Sequence, residues 1–196
     1  MTEAAKGERA SSPWSTTAWT LVYAGIGALI MGFMNSLTYG IGIPGTEVTV
    51  RPHYGILTFF GFAFGPIVGF LTGFLGNAIG DYLIGDYAIE NAVKYWHWSV
   101  ANGLVGLIAG LFPFFMASRM TSTGNKAAIA AAASVVSVVL GFLFIFIELI
   151  TQPQLGFNYI LTVEYIPTVI ANCIAAAIVT PILVLAWDPI SDQLAH

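Results

Sequence analysis

The chain has 196 residues, of which 57% are hydrophobic and 8% charged, and its mean hydropathy is +0.82. Soluble domains carry about 25% charged residues, so this composition places the chain among polytopic membrane proteins. The net charge is −4 and the six Lys and Arg are dispersed, which argues against a nucleic-acid partner.

Residues 1–17 read as a disordered cytoplasmic tail: Met1 to Ser12 is polar, and the apolar run that follows has no small-residue cleavage site of the kind that ends a signal peptide. The first span runs from Ala18 to Tyr39 without a charge and is long enough to cross a bilayer. Ala24, Ala28, Gly32 and Ser36 recur at every fourth position, a small-residue face on which another helix can lie, whether in this chain or in a partner. The second span, His53 to Phe64, covers only about 18 Å against a hydrocarbon thickness of about 30 Å. The preceding loop, Gly40 to Pro52, must supply the remainder, and non-helical backbone at that depth has to line a cavity or lie within protein.

Gly65-Pro66 predicts the turn into a third span, Pro66 to about Ile84, because proline is pre-organised for the first position of a helix. Gly65, Gly69, Gly73, Gly76 and Gly80 draw one smooth stripe, a device for close helix packing. Asp81, Asp86 and Glu90 mark the exit to water, and Gly85 to Lys94 is expected to be a loop. The aromatics Tyr95, Trp96 and Trp98 suit an interfacial belt. Span four runs from about Trp98 to Ala117, span five from Ala127 to Ile150, and span six from Val163 to Trp187, with residues 188–196 as a second cytoplasmic tail. Six spans put both termini on one side. With that side cytoplasmic, Lys6, Arg9, Arg119 and Lys126 lie inside and Arg51 and Lys94 outside, as the positive-inside rule prefers.

Polar residues within spans are costly in lipid and mark functional candidates. Asn77, Asn102, Glu148 and Asn172 fall at about 10, 6, 3 and 13 Å below the outer ends of their helices, counting about 1.5 Å per residue. All four lie in the outer half, and the inner half has no comparable set, which describes a closed, outward-facing cup and not a pore. Asn102 and Asn172 either bridge helices or bind ligand. Arg51 needs a partner, either Glu47, Asp81 or Glu148 in the chain or an acidic group on a ligand. His53 and His97 are ambiguous in the same way. Trp96 and Trp98, with Tyr159 and Tyr165, suit the walls around a planar ring. Phe157, Asn158, Tyr159 and Glu164 lie in or beside the last outer loop, a candidate lid.

Arg51-Pro52, the run FGPIVGFLTGFLGNAIGDYL from Phe64 to Leu83, and the segment from Trp98 to Gly110 resemble the substrate-binding S components of energy-coupling-factor (ECF) transporters, in particular their riboflavin-transporter-like group. The resemblance covers most of the chain. It implies an all-α, six-helix domain over residues 18–187 that captures a vitamin or vitamin precursor and works with a coupling transmembrane subunit and two ABC ATPases. It implies that spans four to six and the first loop line the pocket, which favours Asn102, Glu148 and Asn172 as ligand contacts, and that span three packs, which makes Asn77 structural. It also implies that Ala24, Ala28 and Gly32 dock the coupling subunit. The alternative from the residues alone is an autonomous channel or carrier. No phosphate loop, zinc-ligand motif or nucleophile elbow occurs, so neither a cofactor nor enzymatic activity is expected. The neutral asparagines suit a pyrimidine, pterin or flavin-like ring, Arg51 an acid, and Glu148 an amine-bearing ligand.

Overall fold

The structure is a computed structural model that describes residues 18–39, 41–42, 44, 49, 51–84 and 89–194. The N-terminal tail with Lys6 and Arg9, Glu47 as a partner for Arg51, the Asp86 exit and the last two residues lie outside the described residues. The elements are all helical: α1 (Ala18–Thr38), α2 (Tyr54–Phe64), α3 (Pro66–Ile84), α4 (Ile89–Lys94), α5 (Trp96–Met116), α6 (Thr123–Gly141), α7 (Glu148–Thr151), α8 (Gly156–Tyr159) and α9 (Ile166–Leu194). A tight 3₁₀ segment, Phe142–Ile147, carries α6 into α7, and a π-helical segment, Ile160–Tyr165, carries α8 into α9. Five helical stretches are long and apolar enough to cross a membrane: Ala18–Thr38, Pro66–Ile84, Trp96–Arg119, Thr123–Thr151 and Gly156–Ser191.

The sixth expected span is the 11-residue α2, about 16 Å of helix and too short to cross a bilayer alone. Its position explains the length. A Cβ on Gly55 would lie 2.3 Å from Val179 Cβ, the Thr58 and Thr180 hydroxyls are hydrogen-bonded at 2.6 Å, and the Phe64 and Trp187 rings sit 5.2 Å apart. Helix α2 therefore starts beside the middle of α9 and runs parallel with it to one end of the bundle. Most of the expected entry loop, Gly40 to Pro52, lies outside the described residues. Within that entry, Gly42 and Thr49 form an antiparallel bridge.

Gly65 makes the turn from α2 to α3 at φ 101°, a left-handed conformation that a side chain strains. The glycine stripe on α3 serves two neighbours. A Cβ on Gly73 would lie 2.2 Å from the Asn102 carbonyl oxygen of α5, and one on Gly76 would lie 2.8 Å from Met31 Cβ of α1. Helix α3 is thus wedged between α1 and α5, and α6 packs on both α5 and α9.

Three expected boundaries change. Residues 89–94 of the expected loop form α4. The last outer loop is mostly helix, because α8 and the π-helical segment continue α9 upward from Gly156. Helix α9 also continues past Trp187 to Leu194; Asp188 is buried there, accepting hydrogen bonds from Thr123 and Lys126 of α6. This contact and the Tyr23–Phe64 ring stack identify the end of the bundle opposite the polar cluster described below. Ser122 caps α6 there by accepting from the Asn125 backbone N–H at 3.2 Å.

Gly106→Leu tests the α3–α5 contact. A Cβ at this position would meet the Gly69 carbonyl oxygen at 2.0 Å, and backbone cannot yield as a side chain can. The expected cost is about 1–3 kcal/mol or more, read as a lower melting temperature in detergent. Gly25→Ala, with nothing within 4 Å of the new carbon, is expected to melt as the parent does.

Candidate ligand-binding site

At the other end of the bundle the helices enclose a cavity of about 380 Å³ lined by Tyr39, Arg51, Asn77, Asp81, Lys94, Tyr95, Trp98, Glu148, Gln152, Leu155, Tyr159, Glu164 and Thr168. These residues come from the end of α1, the entry to α2, the end of α3, α4, the start of α5, α7 and the start of the last helix. That volume is at the lower end of the range for small-molecule sites.

Its floor and one wall are a hydrogen-bonded network. The Tyr54 hydroxyl donates to Asn102 Oδ1, and Asn102 Nδ2 donates to Asn77 Oδ1 at 3.1 Å and to the Trp98 carbonyl at 2.7 Å. Asn77 Nδ2 donates to Asp81 Oδ2 at 2.7 Å and to Ser99 Oγ at 3.1 Å. Tyr54, Asn77, Ser99 and Asn102 are all buried, so these bonds replace water that the interior excludes. The network reaches Glu148 through Trp98, whose indole N–H donates to Glu148 Oε1 at 3.2 Å; His97 Nε2 contacts the same oxygen. The Arg51 guanidinium donates to Thr49 Oγ1 at 3.1 Å, and its charge acts on Tyr54 and Asp81. Of the expected partners, Asp81 is the one on which the Arg51 charge acts.

Some buried groups have no partner among the described residues. They include both side-chain polar atoms of Asn172, both ring nitrogens of His53 and Glu148 Oε2 and, outside the cavity lining, both amide atoms of Asn35 and Thr72 Oγ1. Asn172 lies one helical turn below the cavity-lining Thr168, and side chains on a helix lean toward its N-terminus, so the Asn172 amide leans toward the cavity. Leaving such groups unsatisfied costs about 1–3 kcal/mol each, which is tolerated where a ligand supplies the missing bonds.

Of the expected binding residues, Arg51, Trp98, Glu148, Tyr159 and Glu164 line the cavity together. Asn102 is a supporting residue behind the wall, with its amide taken by Tyr54, Asn77 and Trp98. His53 and Asn172 are buried beyond the lining. Trp96 points away, 43% exposed and edge-on to Phe144, because it starts α5 on the outer face. Asn158 is exposed on α8, outside the lining. Tyr165 likewise leaves the wall, its hydroxyl donating to the Val139 carbonyl at 2.9 Å. The expected docking face of α1 is packed within the chain. Ala24 and Ala28 are 2% exposed and Gly32 packs on Gly76 and Ile79, so α2 and α3 already occupy this face.

Sequence reasoning missed Gln152 and Thr168, weighed Asp81 only as a partner for Arg51, and set Asn77 aside as structural. A common signal joins them. Asn77 and Asp81, Glu148 and Gln152, and Glu164, Thr168 and Asn172 are each spaced by four, so each set presents one polar face of its helix. Among the described residues no group of His, Cys, Asp and Glu is arranged to hold a metal ion.

The model of the family described as ECF-type riboflavin transporter, S component, matches residues 14–188. The chain belongs to that family. It is 35% identical over 96 residues to a UPF0397 protein of Streptococcus gordonii, covering 49% of this chain and 47% of the relative. It is 34% identical over 106 residues to a UPF0397 protein of Aliivibrio fischeri, covering 54% of each. A UPF0397 protein of Streptococcus pneumoniae is 35% identical over 92 residues, covering 47% of this chain and 46% of the relative. The chain thus spans about half the length of the curated relatives it matches. No solved structure matches it. Family membership agrees with the helical, apolar architecture.

Two asparagines at similar depth separate a structural from a ligand-facing role. Asn102→Ala strands the Tyr54 hydroxyl and Asn77, and is expected to cost about 1–2 kcal/mol in the ligand-free protein. Asn172→Ala breaks no bond within the chain and is expected to cost less than Asn102→Ala. Thermal melts of both variants in detergent make the comparison.

Proposed function

We propose that this chain is the substrate-capture component of an ECF-type importer, taking a small vitamin or vitamin precursor from outside the cell. The single observation that carries the proposal is the cavity at one end of the bundle, beside which Asn172 and Glu148 keep unsatisfied polar atoms in dry surroundings. Membership of the S-component family supports the same reading. Each unmade hydrogen bond weakens the fold, a cost that a ligand in the cavity would offset.

The cavity opens to the outside in this reading, with the start of α1 and the end of α9 on the cytoplasmic side. A volume of about 380 Å³ favours a single- or fused-ring compound over one of cobalamin size. Trp98, Tyr95 and Tyr159 offer aromatic faces for such a ring. The chain carries no ATP-binding motif, so delivery rests on a coupling transmembrane subunit and two ABC ATPases. With the Ala24, Ala28 and Gly32 face occupied within the chain, that subunit meets another surface. The channel alternative is disfavoured by the apolar inner half, where Phe59, Phe60, Phe62, Val68, Ala130, Ala133 and Val184 form a core cluster.

The test is native mass spectrometry of the detergent-purified protein after expression in rich medium. A retained mass matching a vitamin or precursor, lost in Asn172→Ala and kept in Asn158→Ala, is the expected result. A protein that is empty, and still empty after incubation with a vitamin panel, overturns the capture role. Reconstituted alone in liposomes, the protein is expected to move no solute; ATP-independent uptake would favour the carrier.

A further inference from the structure

Helix α2 begins inside the bundle, and its first turn stands at the cavity floor. Arg51, just before the helix, lines the cavity, and the Tyr54 hydroxyl belongs to the network of the floor. The positive end of the α2 dipole therefore lies at that depth and not at the membrane surface. The N-cap residue, His53, makes no side-chain cap hydrogen bond. Both of its ring nitrogens, and both amide atoms of Asn172, lack a partner among the described residues, and each residue is 0% exposed. Asn172, Ala176 and Thr180 share one face of α9. Thr180 bonds across to Thr58 and to the Gly55 carbonyl of α2, and Ala176 packs in one core cluster with Tyr54. Asn172 stands one turn nearer the cavity, beside the start of α2, and its amide leans toward the cavity.

The charges around the cavity are answered unequally. Glu148 pairs with His97, accepts from the Trp98 indole and lies against Glu164. Asp81 accepts from Asn77 Nδ2. The Lys94 ammonium sits at the mouth, over the Tyr95 ring. Arg51 donates to Thr49 and reaches the Tyr54 hydroxyl, and its charge acts on Asp81 and His53. Among the described residues, however, the ion pairs are His97 with Glu148 and Lys126 with Asp188, and Arg51 is in neither. A guanidinium presents a planar fork that matches a carboxylate or phosphate. A neutral histidine adds one N–H donor and an asparagine amide two. The inward end of a short membrane helix adds its dipole in the same sense, a geometry that suits anionic groups of transported molecules.

We infer that the cavity floor is an anion subsite, in which the Arg51 guanidinium, the Asn172 amide and His53 at the N-terminal end of α2 hold a carboxylate or phosphate of the captured molecule. The inference rests on the capture role proposed above and narrows it. The remainder of that molecule then stands against Trp98 and Tyr159, which line the same cavity.

The test is isothermal titration of the detergent-purified protein with two matched pairs of probes. Nicotinate against nicotinamide reads a carboxylate, and pyridoxine 5′-phosphate against pyridoxine reads a phosphate. In at least one pair the anionic member is expected to bind about tenfold or more tightly than its neutral counterpart. Arg51→Gln is expected to erase that preference, whereas a merely structural loss weakens both members alike. Should Arg51→Gln fail to fold, Asn172→Ala is expected to weaken the anionic member more than the neutral one. Neutral members that bind as tightly as the anionic ones, or an anion preference that survives the substitution, overturn the inference and leave the capture role standing. Should no probe bind, the ligand retained by the native protein decides. One bearing a carboxylate or phosphate upholds the inference, one bearing neither overturns it, and no retained ligand removes the capture role and the inference with it.

Discussion

The close approach of α3 and α5 is the constraint on which the rest depends. Helices in lipid gain little from the hydrophobic effect and associate through packing and hydrogen bonds, so glycines that let backbones touch are worth more there than in water. Gly69 and Gly73 meet Gly106 and the Asn102 carbonyl at distances that leave no room for a Cβ. One turn beyond Gly73, this contact brings the Asn77 and Asn102 amides within 3.1 Å. The packing device and the polar network are the same contact read at two depths. The network then orients Trp98, and Trp98 holds Glu148.

Much of the bundle was legible because its signals are local. Apolar runs between charged residues located five of the long helices, and Gly65-Pro66 located the hairpin turn. The shortness of the second span was legible, and α2 starts beside the middle of α9. The failures came from signals that depend on neighbours. Small residues on α1 announce a close contact without saying with what, and the contact is with α2 and α3. The acidic Asp81 looked like an exit to water because sequence cannot show that Arg51 and Asn77 face it. Residues 151–162 looked like a loop because Pro153 and Gly156 are breakers, yet Gly156 supplies the left-handed turn at φ 73° from which the final helix starts. The site was half legible for a similar reason. Depth counting found Asn77, Asn102, Glu148 and Asn172, but only the network separates Asn102, whose amide is spent within the chain, from Asn172, whose amide is not.

The two ends of the bundle differ in a way that suits capture. At the inner end Phe64, Trp187 and the core around Phe59 and Val184 close the structure, and Asp188 ties α9 to α6. At the other end polar groups remain in waiting: Glu148 Oε2 and both polar atoms of Asn172 are dry and unmatched. A protein under selection for stability alone would have replaced them with apolar groups of similar volume at little cost. Their retention beside a cavity of about 380 Å³ is the physical content of the functional reading, and the family assignment gives it a transport context.

The most direct measurement is an experimental structure of the ligand-retaining protein purified from cells grown in rich medium. The account predicts density for one small molecule in this cavity, with polar atoms within hydrogen-bonding distance of Asn172 and Glu148 and a ring against Trp98. Density for the ligand elsewhere in the bundle, or a cavity holding only water while the protein retains its ligand, would contradict it.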